Sequence, residues 1–169
     1  MTYLAKSILL VAGLALAACS NADRFGNNGA GAGAGGDAAS ADSASDPKSP
    51  LYFQEAIGDR VYFEVDRQTL DDEAKQVLDG QASWLTENTD YDVVIEGHAD
   101  EQGTREYNLA LGARRASAVR EYLESRGVSS DRLKTVSYGK ERPIEICSEE
   151  SCYAKNRRAV TVLASGLTG

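Results

Sequence analysis

An acidic and a cationic side chain, Asp100 and Arg115, bracket the start of a helical stretch near the middle of the chain. Within that stretch Tyr107, Leu111, Arg115, Ala118, Val119, Tyr122 and Leu123 recur at helical spacing. Arg115 therefore sits on the apolar seam, whereas Arg114 is turned about 100° away. An arginine on a packing face needs an acid or a ligand, and Asp100, just upstream of the same helix, can lie near it. Together they offer a carboxylate to an ammonium and a guanidinium fork to a carboxylate, a match for the zwitterionic head of an amino acid. An internal salt bridge between the two uses the same spacing, and spacing alone does not separate the readings.

His98, Asp100 and Glu101 could also supply acid and base groups. Against a hydrolase, the chain has no GxSxG and no HExxH, and His98 is its only histidine, so a metal set has no second imidazole. His98 is read as hydrogen-bonded within its loop. That loop, Gly97 to Thr104, leaves a strand and enters a helix that Thr104 can cap. Polar groups placed there are well sited to hold an anionic group.

The elements that must position these residues follow from residue type and period. Val61 to Val65 has the β-branched and aromatic content of a strand. Leu70, Ala74, Val77, Leu78, Ala82 and Leu85 trace an amphipathic helix, with Asp71, Asp72 and Glu73 in its first turn, where negative charge suits the dipole. Tyr91 to Glu96 reads as a second strand, and a second helix runs from about Thr104 to Arg126, stopped by Gly127. Leu133 to Tyr138 and Arg158 to Ala164 complete four strands. The order βαβαββ predicts a two-layer α/β (α+β) sandwich with a mixed sheet over residues 51–165.

The chain has 169 residues and a formal charge of −8, which excludes a nucleic-acid binder carrying a basic stripe. At the amino end Lys6 precedes an apolar run from Ile8 to Ala18, shorter than the about 20 residues that span a bilayer, so residues 1–18 read as an export signal. The run closes in Leu16-Ala17-Ala18-Cys19, which resembles a bacterial lipobox. Such a signal implies that Cys19 is acylated and becomes the first residue, and Ser20 after it implies sorting to the outer membrane. An ordinary signal peptide with an incidental cysteine is the alternative. Residues 19–50 are rich in Gly, Ala, Ser and Asp and cannot bury enough surface to offset ordering entropy, so they read as a flexible, disordered linker. Such a tether spans roughly 30 Å on average and on the order of 100 Å when stretched. Cys147 and Cys152 remain as an even pair in an oxidising compartment, spaced for a small disulfide loop; a metal site, the alternative, lacks ligands, with one histidine and no CxxC in the chain.

The blocks VYFEVD (61–66), IEGHADEQGTREYNLALGARRASAVREYL (95–123), SYGKERP (137–143) and NRRAV (156–160) resemble the peptidoglycan-associated lipoproteins and their OmpA-like domain. The resemblance implies noncovalent binding of peptidoglycan through its diaminopimelate side chain. It assigns Asp100, in the GHxD block, to the ligand ammonium, and Arg115, in the LGxRRA block, to a carboxylate. Asn108 takes the motif asparagine, and Phe63, Asp66, Leu111 and Arg158 line or support the pocket. No cofactor and no metal are expected, and the chain reads as a binding and tethering protein, not an enzyme. The resemblance implies as partners the periplasmic Tol proteins, particularly TolB, with a role in holding the envelope together during constriction at division. An OmpA-like lipoprotein of another envelope complex would share the wall site. Two departures stand out: Gln102 replaces a common arginine, and the Cys147/Cys152 pair, which is not general in the family, would rigidify the loop before Asn156-Arg157-Arg158.

Overall fold

The computed structural model describes residues 43–165. The expected signal, Cys19 and most of the expected linker lie outside them. Four strands, β1 (Arg60–Tyr62), β2 (Tyr91–His98), β3 (Leu133–Gly139) and β4 (Arg158–Ser165), form one sheet in the order β1-β4-β2-β3. β4 runs antiparallel to both β1 and β2, while β2 and β3 are parallel. A parallel pair needs a long crossover, and the helix Arg105–Ser125 supplies it. The mixed sheet and the two long helices are those the sequence predicts.

We number the helices α1 (Pro50–Tyr52), α2 (Asp72–Glu87), α3 (Arg105–Ser125) and α4 (Glu150–Asn156). Asp71 caps α2 by accepting from the Ala74 amide at 2.7 Å, and Thr104 caps α3 by accepting from the Tyr107 amide at 3.2 Å. At the other end of α3, Gly127 adopts φ +98°, and the Val128 amide donates back to the Leu123 carbonyl at 3.1 Å. Left-handed backbone at that position is what allows the chain to turn away and close the last carbonyls. Leu78 and Leu85 from α2, Val119 and Leu123 from α3, and Val93 and Ile95 from β2 meet in one buried cluster. The sheet's opposite face carries half-exposed side chains such as Tyr62 and Val162.

The structure departs from expectation in three places. β1 is shorter than the predicted strand, because the chain turns at Glu64, whose carbonyl accepts from the Arg67 amide at 3.2 Å, and Asp66 enters left-handed backbone at φ 57°. The short helix α4 lies between β3 and β4; its seven residues carry no apolar period long enough to read. The packed body also starts before residue 51. Ser49 is 1% exposed and caps α1, which runs into a π-helical segment, Phe53–Gly58. The Trp84 indole donates to the Pro47 carbonyl at 2.7 Å, and the Phe53 ring lies 4.9 Å from Trp84. Large partners in the domain therefore recruit small residues that composition assigns to the linker.

α3 crosses β2 at a pair of glycines. A Cβ on Gly97 would stand 1.8 Å from the Gly112 carbonyl oxygen, so neither backbone tolerates a side chain there. Gly97→Ala is expected to destabilise the domain by roughly 3 kcal/mol, the upper range for overpacking. Gly80, inside α2, has only an ordinary 3.5 Å contact to an Ile57 methyl at its Cβ position. Gly80→Ala is expected to stabilise by about 0.5–1 kcal/mol through helix propensity. Urea unfolding of the two variants should thus move in opposite directions.

Candidate functional site

The loop after β2 and the first turns of α3 form one wall of a cleft of about 240 Å³. Val65 and Asp66, in the turn after β1, form the other. Asp100, Gln102, Gly103, Tyr107, Asn108 and Leu111 complete the lining. Four of the residues singled out in the sequence (Asp66, Asp100, Asn108 and Leu111) thus meet in one place.

The loop is held by polar side chains from the elements around it. Asn108 is 1% exposed and its Nδ2 donates to the Gln102 carbonyl at 2.6 Å. Lys140 Nζ donates to the Gly103 carbonyl at 2.6 Å, and Asn156 Nδ2 to Glu101 Oε1 at 2.8 Å. Asp100, 8% exposed, accepts from the Gln102 amide at Oδ1 and from Arg157 Nη1 at Oδ2, at 3.2 and 3.3 Å. Across the cleft, the Tyr107 hydroxyl donates to Asp66 Oδ1, and that bond raises the Tyr107 pKa above its ordinary value.

Arg115 lies beneath this cleft and not in its wall. It is 0% exposed, and its fork donates to three main-chain carbonyls: Arg67 at 2.8 Å, His98 at 2.8 Å and Glu64 at 3.1 Å. Burial lowers its pKa to about 10, against the raising effect of the nearby Asp100 carboxylate. It remains a cation at neutral pH. A guanidinium has five N–H groups, so two are left after these bonds. The internal Asp100–Arg115 salt bridge that spacing allowed is not formed.

Asp100 is paired instead with Arg157, a residue the sequence reading passed over in favour of its neighbour. Arg157 is 5% exposed and also donates to the Phe63 carbonyl at 3.1 Å and to Glu150 Oε1 at 2.5 Å. Arg158, expected at the pocket, donates to the carbonyls of Asn156 and Arg142 and neither lines the cleft nor touches Asp100. Consecutive side chains at the start of a strand point in opposite directions, so only one of the two arginines can reach the acid. Phe63 also stands outside the lining. It supports the site from below, its ring 5.1 Å from the Arg115 guanidinium carbon. Cys147 and Cys152 are joined as a disulfide.

His98 differs from expectation. It is 1% exposed, and neither ring nitrogen has a hydrogen-bond partner among the described residues; Glu96 Oε2 stands 3.5 Å from Nε2. Burial, and then the charges of Arg158 and Arg142, lower its pKa to about 4. The neutral ring is ill placed to move protons for a substrate. Among the described residues no group of three His, Cys, Asp or Glu could hold a metal.

Because the folded-state pKa of His98 lies below the ordinary 6.5, the unfolded chain takes the proton first. Its contribution to stability is complete above about pH 6.5 and is lost as pH falls toward 4, amounting to about 3 kcal/mol. As the chain has one histidine, a single imidazole Hε1 resonance should titrate with a midpoint near 4. A midpoint near 6.5 would show the ring to be solvated.

Residues 62–157 match the OmpA family. The chain is 51% identical over 156 residues to the peptidoglycan-associated lipoprotein of Rhizobium meliloti (strain 1021), covering 92% of this chain and 85% of the relative. It is likewise 51% identical to that of Mesorhizobium japonicum, over 93% of this chain and 90% of the relative. The crystal structure of the peptidoglycan-associated lipoprotein from Burkholderia pseudomallei superposes with a TM-score of 0.64 at 39% identity, covering 72% of this chain and 98% of that one. The C-terminal domain of Helicobacter pylori MotB shares the fold at 21% identity and a TM-score of 0.60, covering 64% of this chain and 86% of that domain. With the sheet order, the cleft and these likenesses together, the chain belongs to the OmpA family and, within it, to the peptidoglycan-associated lipoproteins.

Proposed function

We propose that this protein binds peptidoglycan noncovalently and, anchored by a lipid on Cys19, tethers the outer membrane to the cell wall from the periplasmic side. The observation that carries this is a carboxylate, Asp100, set in the wall of a cleft above a buried guanidinium, Arg115, that has no acid bonded to it among the described residues. The ligand's ammonium would meet Asp100, and its carboxylate would be drawn by the charge of Arg115 beneath the cleft floor. Diaminopimelate, whose free end carries both groups on one carbon, fits that pair. The names of the relatives supply the polymer. The protein is a binding module in this account, not an enzyme: its one histidine is neutral, buried and outside the cleft.

Many weak grips between two extended surfaces sum to a firm attachment. We place the protein in a Tol-Pal assembly, with TolB as its partner, acting in envelope integrity and outer-membrane constriction at division. The family resemblance supports that placement. Co-purification of TolB from detergent-solubilised membranes is the expected result, and its absence would favour another envelope complex.

Asp100→Asn is the sharpest probe of the cleft, because it keeps the shape and a partner for Arg157 while removing the charge. Co-sedimentation of the full chain with purified sacculi should weaken more than tenfold, the loss expected of a charge-assisted bond. Binding equal to the unaltered protein would overturn the site. Arg115→Ala is expected to cost about 3–5 kcal/mol of stability by leaving buried carbonyls unpaired, so it does not test binding alone.

A further inference from the structure

Arg157 is shared between two carboxylates. One is Asp100, at the cleft, 3.3 Å from Nη1; the other is Glu150, 2.5 Å from Nη2. Its Nε is fixed on the Phe63 carbonyl. The guanidinium is nearly desolvated, and so is Asp100, whereas the Glu150 side chain is 64% exposed. The closer of the two ion pairs is therefore the one away from the cleft. An arginine fully engaged on Asp100 would neutralise the charge that an incoming ammonium needs; an arginine drawn toward Glu150 leaves that charge available.

Glu150 lies inside the ring closed by the Cys147–Cys152 disulfide, in the first turn of α4. That helix has seven residues, and its N-cap position, Glu149, makes no side-chain capping bond. A helix so short is not stable by itself. The crosslink confines its first turn and with it the position of Glu150.

We propose that Glu150, held by the disulfide loop, is a positioning residue for the ligand-binding carboxylate: it draws Arg157 off Asp100 and so raises the affinity of the cleft for an ammonium group. The proposal rests on Asp100 being the ammonium's partner. It gives the loop between Glu145 and Asn156 a part in binding, although none of its residues lines the cleft.

The test is calorimetric titration of the full chain with a soluble peptide stem carrying meso-diaminopimelate. Glu150→Gln should weaken binding about fivefold, in the range of a coupled charge pair, and leave the thermal unfolding midpoint unchanged. The paired variant Cys147→Ser/Cys152→Ser should weaken it by a similar factor. Adding Glu150→Gln to that pair should bring no further loss, because both changes remove the same hold on Arg157. Unchanged or tighter binding by Glu150→Gln, while Asp100→Asn loses the ligand, would overturn the positioning role and leave the cleft intact. Losses that multiply in the combined variant would reject the loop as the means by which Glu150 acts. Full binding by Asp100→Asn would instead overturn the cleft itself, and the positioning role with it.

Discussion

The site depends on one buried cation bonded to main chain. Arg115 reaches from α3 to the carbonyls of Glu64 and Arg67, in the turn after β1, and of His98, at the end of β2. Three segments distant in sequence converge on one planar group. The rigid fork geometry of arginine suits this, and a lysine ammonium would not reproduce it. The same three bonds hold the turn bearing Asp66 against the loop bearing Asp100, so the cleft opens over the residue that assembles it. The desolvation of Arg115 is offset by these carbonyl dipoles and by the nearby Asp100 carboxylate, and not by a contact ion pair.

Charges alternate outward from that centre: Arg115, Asp100, Arg157, Glu150. Only Asp100 lines the cleft, and only Glu150 is well exposed. In such a chain each group's hold on its neighbour weakens or strengthens the next, since low surrounding dielectric lets the interactions reach. The disulfide loop carries the last member. A crosslink that stands outside the cleft therefore connects to it through two ion pairs.

Much of the fold was legible in the sequence. The cap at Thr104 and the stop at Gly127 are local chemistry, and the structure bears them out, whereas Asp71, read as part of the first turn of α2, is its N-cap. Asp100, Asn108, Leu111 and Asp66 were brought together as their motifs implied. The helix α4 and the segment from Pro47 to Gly58 were not legible, because they are short and are held by tertiary partners: Glu101, bonded to Asn156, for the first, Trp84 and Gln81 for the second. The unpartnered ring of His98 was equally hidden. Nothing in the loop's composition shows that its donors and acceptors are occupied elsewhere.

By itself the sequence determined which residues share a helix face, which positions cap or end a helix, and that an arginine is buried on the seam of α3. These are consequences of backbone period and side-chain chemistry within a few residues of each position. Only the tertiary structure decided what that arginine would bond and which arginine would meet Asp100. The Asp100–Arg157 contact joins residues 57 apart. It exists because β4 lies antiparallel beside β2 in a register pairing Gly97 with Ala159. That register comes from the whole sheet, and a shift of one residue would exchange Arg157 for Arg158.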